Sequence, residues 1–159
     1  MAYALQSMLR IRRMKEDRAQ TNLAKARADR RLAEIELERR SDAVIRFEAT
    51  KDERRDKIYE TVIGRVVKMD DLDHVRAAVT QVDEEGLLLA EAERKAGEEV
   101  KRHDQLVDAA HGLFVTALKD REKIEQHRRI WLEEEHREQE RIADNEMDEF
   151  AVRKVSYDD

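Results

Sequence analysis

Cysteine and proline are both missing from this chain, and glycine occurs only four times in 159 residues. Without cysteine there are no disulfides, no thiolate nucleophile and no cysteine metal site. A globular domain of this length would normally carry several prolines. Aromatic residues make up 4 % of the chain, with a single Trp, which is little bulky material for a globular core. No apolar run approaches the roughly 20 residues of a membrane span, and the opening residues lack the apolar stretch of a signal peptide. Serine stands only at Ser7, Ser41 and Ser156, and no glycine-rich phosphate loop is present. These absences predict a cytoplasmic protein that is not an enzyme and uses no cofactor.

What remains is charge. Asp, Glu, Lys and Arg make up 44 % of the residues, a composition of the long-helix or coiled-coil class. The signs are unevenly placed. Residues 1–68 hold 18 basic against 12 acidic side chains, whereas residues 69–159 hold 14 against 26. Opposite halves suit a chain folded back on itself. An acidic protein is not expected to bind nucleic acid, and the short basic run Arg10, Arg12, Arg13, Lys15 has nearer counter-charges on an opposing helix than on phosphate or lipid.

Periodicity supplies the fold. Alternating steps of three and four lead from Leu72 through Val75, Val79, Val82, Gly86, Leu89 and onward to Ile124, Arg128 and Trp131; 13 of these 18 positions are apolar. A strict seven-residue repeat demands a left-handed supercoil. Its narrow, alanine-rich stripe suits one slender partner. A poorer stripe runs from Leu5 and Leu9 through Arg12, Leu23, Leu37, Val44 and Phe47 to Ile58 and Thr61, with ten of 17 positions apolar. Arg and Lys on such a seam cover apolar surface with their stems.

Between the stripes, Gly64 suits a helix C′ position, Asp70 or Asp71 suits an N-cap, and Asp73 suits a first turn. The β-branched Thr61, Val62, Ile63, Val66 and Val67 weaken helix nearby. The expected fold is all-α: an antiparallel two-helix coiled-coil hairpin with a C-terminal helical overhang. It is read as a single elongated domain over 1–159, with helix 1 about 4–63, a turn about 64–70 and helix 2 about 71–154. A continuous helix that dimerises is the structural alternative. Folding near residue 67 sets Ile58 against Val75, Val44 against Leu89, Leu23 near Ala110 and Leu5 near Ile130. Residues 131–155 then extend beyond helix 1, and Ser156-Tyr157-Asp158-Asp159 reads as a loose tail.

Glu133-x-x-His136 has the spacing of half a di-iron site, but a second such pair is missing, so a solvated charged face is the better reading and no metal is expected. His103 on the seam reads as a tolerated polar position. Trp131 either seals the open end of the hairpin or anchors a partner. At the other end Tyr59, Val62, Ile63, Val66, Val67 and Met69 form an apolar tip larger than a solvated turn needs.

Two segments carry a resemblance. Leu5-x-x-Met8-Leu9-x-Ile11-Arg12, followed by Lys15-Glu16-Asp17-Arg18-Ala19, is similar to the opening helix of the central-stalk proteins of type III secretion systems, the YscO/SctO group related to flagellar FliJ. The run Trp131-x-Glu133-Glu134, Arg137-Glu138-Gln139-Glu140 and Met147-Asp148-Glu149 resembles that group's C-terminal segment and favours a virulence-type system over a flagellar one. The resemblance implies a stalk that enters a hexameric secretion ATPase, stimulates it and links it to the cytoplasmic domain of an export gate. It also implies that some members bind secretion chaperones. Carried over, Leu5, Leu9, Arg12, Trp131, Glu133, Glu134, Arg137, Glu140, Asp148 and Glu149 lie on the ATPase side, while the tip residues face the gate. The chain would be a monomer when isolated, peripheral to the inner-membrane apparatus and not inserted in the membrane. A cytoplasmic scaffold or chaperone escort that acts on no ATPase is the competing expectation.

Overall fold

The structure, a computed structural model, describes residues 3–155, with side chains described as far as Glu149; the expected tail from Ser156 lies outside the described residues. Two helices, α1 (Gln6–Glu60) and α2 (Met69–Val155), form an all-α antiparallel hairpin. The stripes read from the sequence are its seam. In α2 every seam position from Val75 to Trp131 is buried or half-buried, and only Leu72 among the 18 is exposed. In the first stripe the exceptions are Arg40 and Thr61, the latter just past the end of α1.

The connection runs from Thr61 to Lys68, somewhat earlier than the spacing of Gly64 and Asp70 suggests. At its start the backbone N–H groups of Val62 and Ile63 both donate to the Tyr59 carbonyl, at 3.0 and 3.1 Å. The Thr61 hydroxyl caps the Ile58 carbonyl at 2.7 Å, so the β-branched run ends the helix before the glycine is reached. Gly64 then takes φ 74°, a left-handed conformation that costs other residues about 1–2 kcal/mol. The start of α2 corrects the expected cap. Lys68 occupies the N-cap place, because its carbonyl accepts from Asp71 N at 3.1 Å while its own N–H donates to Asp71 Oδ2 at 2.9 Å. Asp71 is therefore the returning acid of a capping box.

By density of contacts the chain forms two units, Met1–Asn22 with His111–Asp159, and Leu23–Ala110. In the second unit Leu23, Phe47 and Val82 are buried. Phe47 packs on Gly86 and Leu37 approaches Gly97, the register expected from a fold near residue 67. Arg54 crosses to Glu85 at 2.6 Å, and Arg55 and Arg30 pair with Asp83 and Asp104. The Arg54 guanidinium also stands 5.6 Å from the Phe47 ring centre, so one arginine covers the ring and binds a carboxylate.

In the first unit Tyr3 and Leu9 are buried, Leu9 being only 1 % exposed. Arg12 meets Asp120 at 2.7 Å and Arg13 meets Glu125 at 2.9 Å. Arg121, a seam residue of α2, pairs with both Glu16 and Glu125. Desolvation lowers the pKa of Arg121, but these carboxylates outweigh it and leave that pKa raised. A charged seam residue is thus paired with carboxylates on both helices.

Candidate functional site

The tip belongs to the second unit. Ile63 is 70 % exposed, Met69 70 % and Val66 fully exposed, whereas Val62 and Val67 are half-buried and Tyr59 exposed. An open groove of about 540 Å³ is walled by Ile58, Val62, Val66, Val67 and Val75, with Arg65, Asp71 and His74 among its polar lining. Turn geometry causes this exposure. The chain must reverse within eight residues, and apolar side chains on so short a connection have no second layer to cover them. The arrangement offers a partner an apolar surface edged by charge of both signs.

The open end belongs to the first unit. Sequence reasoning left the role of Trp131 undecided. Here its ring is half-buried and lies 5.4 Å from that of Tyr3 at a tilt of 49°. Tyr3 also places its hydroxyl 2.9 Å from His127 Nδ1 and donates to the Ile124 carbonyl at 3.4 Å. Trp131 therefore closes the hairpin with Tyr3, and the sequence reading missed Tyr3. It precedes Leu5 by two residues, off the three–four step, and is positioned by the irregular turn whose carbonyl accepts from Gln6 N at 3.1 Å. A tyrosine just ahead of a seam was the available signal.

The other open-end residues separate into two sets. Leu5, Leu9 and Arg12 face α2, with Leu5 half-buried, Leu9 buried and Arg12 held by Asp120. Glu133, Glu134, Arg137, Glu140, Asp148 and Glu149 are exposed, and Glu140 stands 3.7 Å from His136. Arg141 binds Glu138 at 2.7 Å and, through this bond, holds its carboxyl below the ordinary range. From Glu133 to Glu149 the helix carries nine acidic and two basic residues and is not faced by α1. His103 keeps its seam place in the second unit, half-buried with Nδ1 unbonded. Among the described residues no cluster of His, Asp and Glu is arranged to hold a metal, and no helix is long and apolar enough to cross a membrane.

Two long helices packed as a hairpin, with accessible apolar side chains at the turn, place the molecule among the coiled-coil hairpin proteins. Its family follows from the sequence: the profile of type III secretion protein YscO matches residues 5–153, and the chain belongs to that family and is a component of a type III secretion system. The structure is also similar to that of a YscO homolog, CT670, from Chlamydia trachomatis, with TM-score 0.75 and 20 % identity over 95 % of this chain and 93 % of that one. No curated protein matches the sequence.

Proposed function

We propose that the chain is the non-catalytic central stalk of its type III secretion apparatus. It enters the hexameric secretion ATPase by its open end, raises that enzyme's turnover, and presents the tip to the cytoplasmic domain of the export gate. It acts in the cytoplasm, peripheral to the inner membrane. The observation that supports this reading is family membership across residues 5–153 on a two-helix hairpin whose turn carries the exposed Ile63, Val66 and Met69.

A hairpin suits the task physically. Its cross-section is two helices, and its surface charge is mixed, so it can meet several identical subunits without being fixed to one by a large apolar patch. The tip supplies the contrasting surface, with Tyr59, Val62, Ile63, Val66, Val67 and Met69 as the gate contact. The exposed Glu133, Glu134, Arg137, Glu140, Asp148 and Glu149 extend the ATPase contact, and chaperones of secreted substrates are further partners.

Photo-cross-linking tests the assignment of ends. A benzoylphenylalanine at position 14 should trap the ATPase and one at position 63 the gate domain. The opposite pattern would reverse the orientation, and capture of neither partner at either position would refute the stalk reading.

A further inference from the structure

The outward face of α1 in the first unit is left over by the hairpin. Of the basic run that opens the helix, Arg12 and Arg13 are engaged by Asp120 and Glu125. Arg10, Lys15 and Arg18 are exposed, and among the described residues no carboxylate pairs with them. Between them stand Ile11 and Met14, 53 % and 47 % exposed. Residues three and four apart are neighbours on a helix, so Ile11 shares one surface with Met14, Lys15 and Arg18, and Arg10 borders Met14. Asp17 lies on the edge of this surface and leaves it net positive. Exposed apolar side chains ringed by free cations have no structural task here, because neither Ile11 nor Met14 lies on the seam.

We propose that this face is the docking surface for an acidic protein segment. Ile11 and Met14 make the apolar contact, and Arg10, Lys15 and Arg18 receive carboxylates around it. The assignment rests on the reading that the open end meets the secretion ATPase and gives that contact its chemistry. The ATPase brings the acidic residues, and the stalk meets them with its outward α1 face. Leu9 and Trp131 act one step back, holding α1 in place. Three free cations are fewer than the roughly four to eight clustered Lys/Arg that mark anionic-lipid binding, and the acidic stretch of α2 in the same unit opposes a negative membrane. A protein surface is therefore the occupant the charges favour.

The test is binding of the full-length chain to its cognate ATPase, at low and high salt, with Arg10→Glu/Arg18→Glu and Ile11→Ser/Met14→Ser pairs beside the wild type. Each pair should weaken binding by roughly tenfold or more, and the charge pair should also lose most of the salt dependence. Because these side chains are exposed, thermal unfolding should not change, and an Arg10→Lys/Arg18→Lys pair should bind as the wild type does. Wild-type binding that both pairs leave intact would overturn the assignment while the ATPase reading stands. Absence of wild-type binding would overturn both, so the wild-type trace alone tells the two failures apart. Binding to phosphatidylserine-containing vesicles that the pairs abolish, with ATPase binding unchanged, would transfer the face to lipid and overturn it as well.

Discussion

The ring of Phe47 occupies the space that a side chain at position 86 would need: a Cβ on Gly86 would come within 2.7 Å of Phe47 Cε1. Gly86 is thus the hole that admits the largest buried knob of α1. Alanine there would add about 1 kcal/mol of helix propensity, but overpacking a filled seam costs typically about 1–3 kcal/mol. Gly86→Ala is expected to lower stability by about 1 kcal/mol, and to become neutral or stabilising in a Phe47→Leu background. Thermal melts of the four chains check the change of sign. A stabilised single variant would show that the contact carries no weight.

Two other glycines bracket this case. Nothing lies within 4 Å of a Cβ on Gly112, and Gly64 holds φ +74° with equal space around it. Gly112→Ala should stabilise by about 0.5–1 kcal/mol through propensity and chain entropy. Gly64→Ala should destabilise by about 1–2 kcal/mol, because the left-handed conformation is strained for any Cβ. Chemical denaturation of both variants should move the midpoint in opposite directions.

Much of the hairpin was legible because seam residues must recur every three or four positions. That arithmetic brought Leu9, Leu23, Phe47 and Val82 to the seam, and the same register sets Phe47 on Gly86. Residues outside a regular helix escaped it. Tyr3 lies ahead of α1, and Lys68 caps α2 through its own backbone while Asp71 returns from the third position. The candidate site was less legible for a related reason. An apolar residue at heptad spacing looks alike whether it serves the seam or a partner, so the role of Trp131 stayed open until Tyr3 was in place against it, whereas Ile11 and Met14 lie off the three–four step and their exposure is seen only in the structure.

Carboxylates that face arginine give the fold an acid-sensitive component. A hydrogen bond from Arg54 holds Glu85 below its usual range, and Arg13 does the same for Glu125, with Arg121 adding to it. Arg94, bonding first and strongest, pushes Glu91 down to about 2. A carboxyl whose pKa is lower in the folded chain adds stability above its unfolded value, near 4.5, and that stability is lost as pH falls through the lowered value. The melting temperature should therefore hold from neutrality to about pH 5 and fall between there and about pH 2. Salt should shrink the effect, since these groups are half-buried and still reach solvent. A Glu85→Gln/Glu125→Gln chain should show a flatter acid limb; an unchanged limb would mean that these pairs do not titrate with folding.

The open end depends on Leu9 and Tyr3. Leu9→Ala, at a site only 1 % exposed, should cost about 2–4 kcal/mol. Tyr3→Phe removes only the hydroxyl beside His127 and should cost about 0.5–1.5 kcal/mol. Trp131 is the single tryptophan, so its emission reports this cluster alone. Tyr3→Ala should shift the emission to the red, and an unshifted spectrum would show that the two rings do not meet in solution.

Most directly, the stalk role is tested by ATP hydrolysis of the secretion ATPase from the same genome, measured with and without the full-length chain. Stimulation that rises with the amount of chain and saturates, from a protein that binds no nucleotide itself, is the predicted result. An unchanged rate at concentrations where both proteins are folded and soluble, or tight ATP binding by the chain alone, would contradict it.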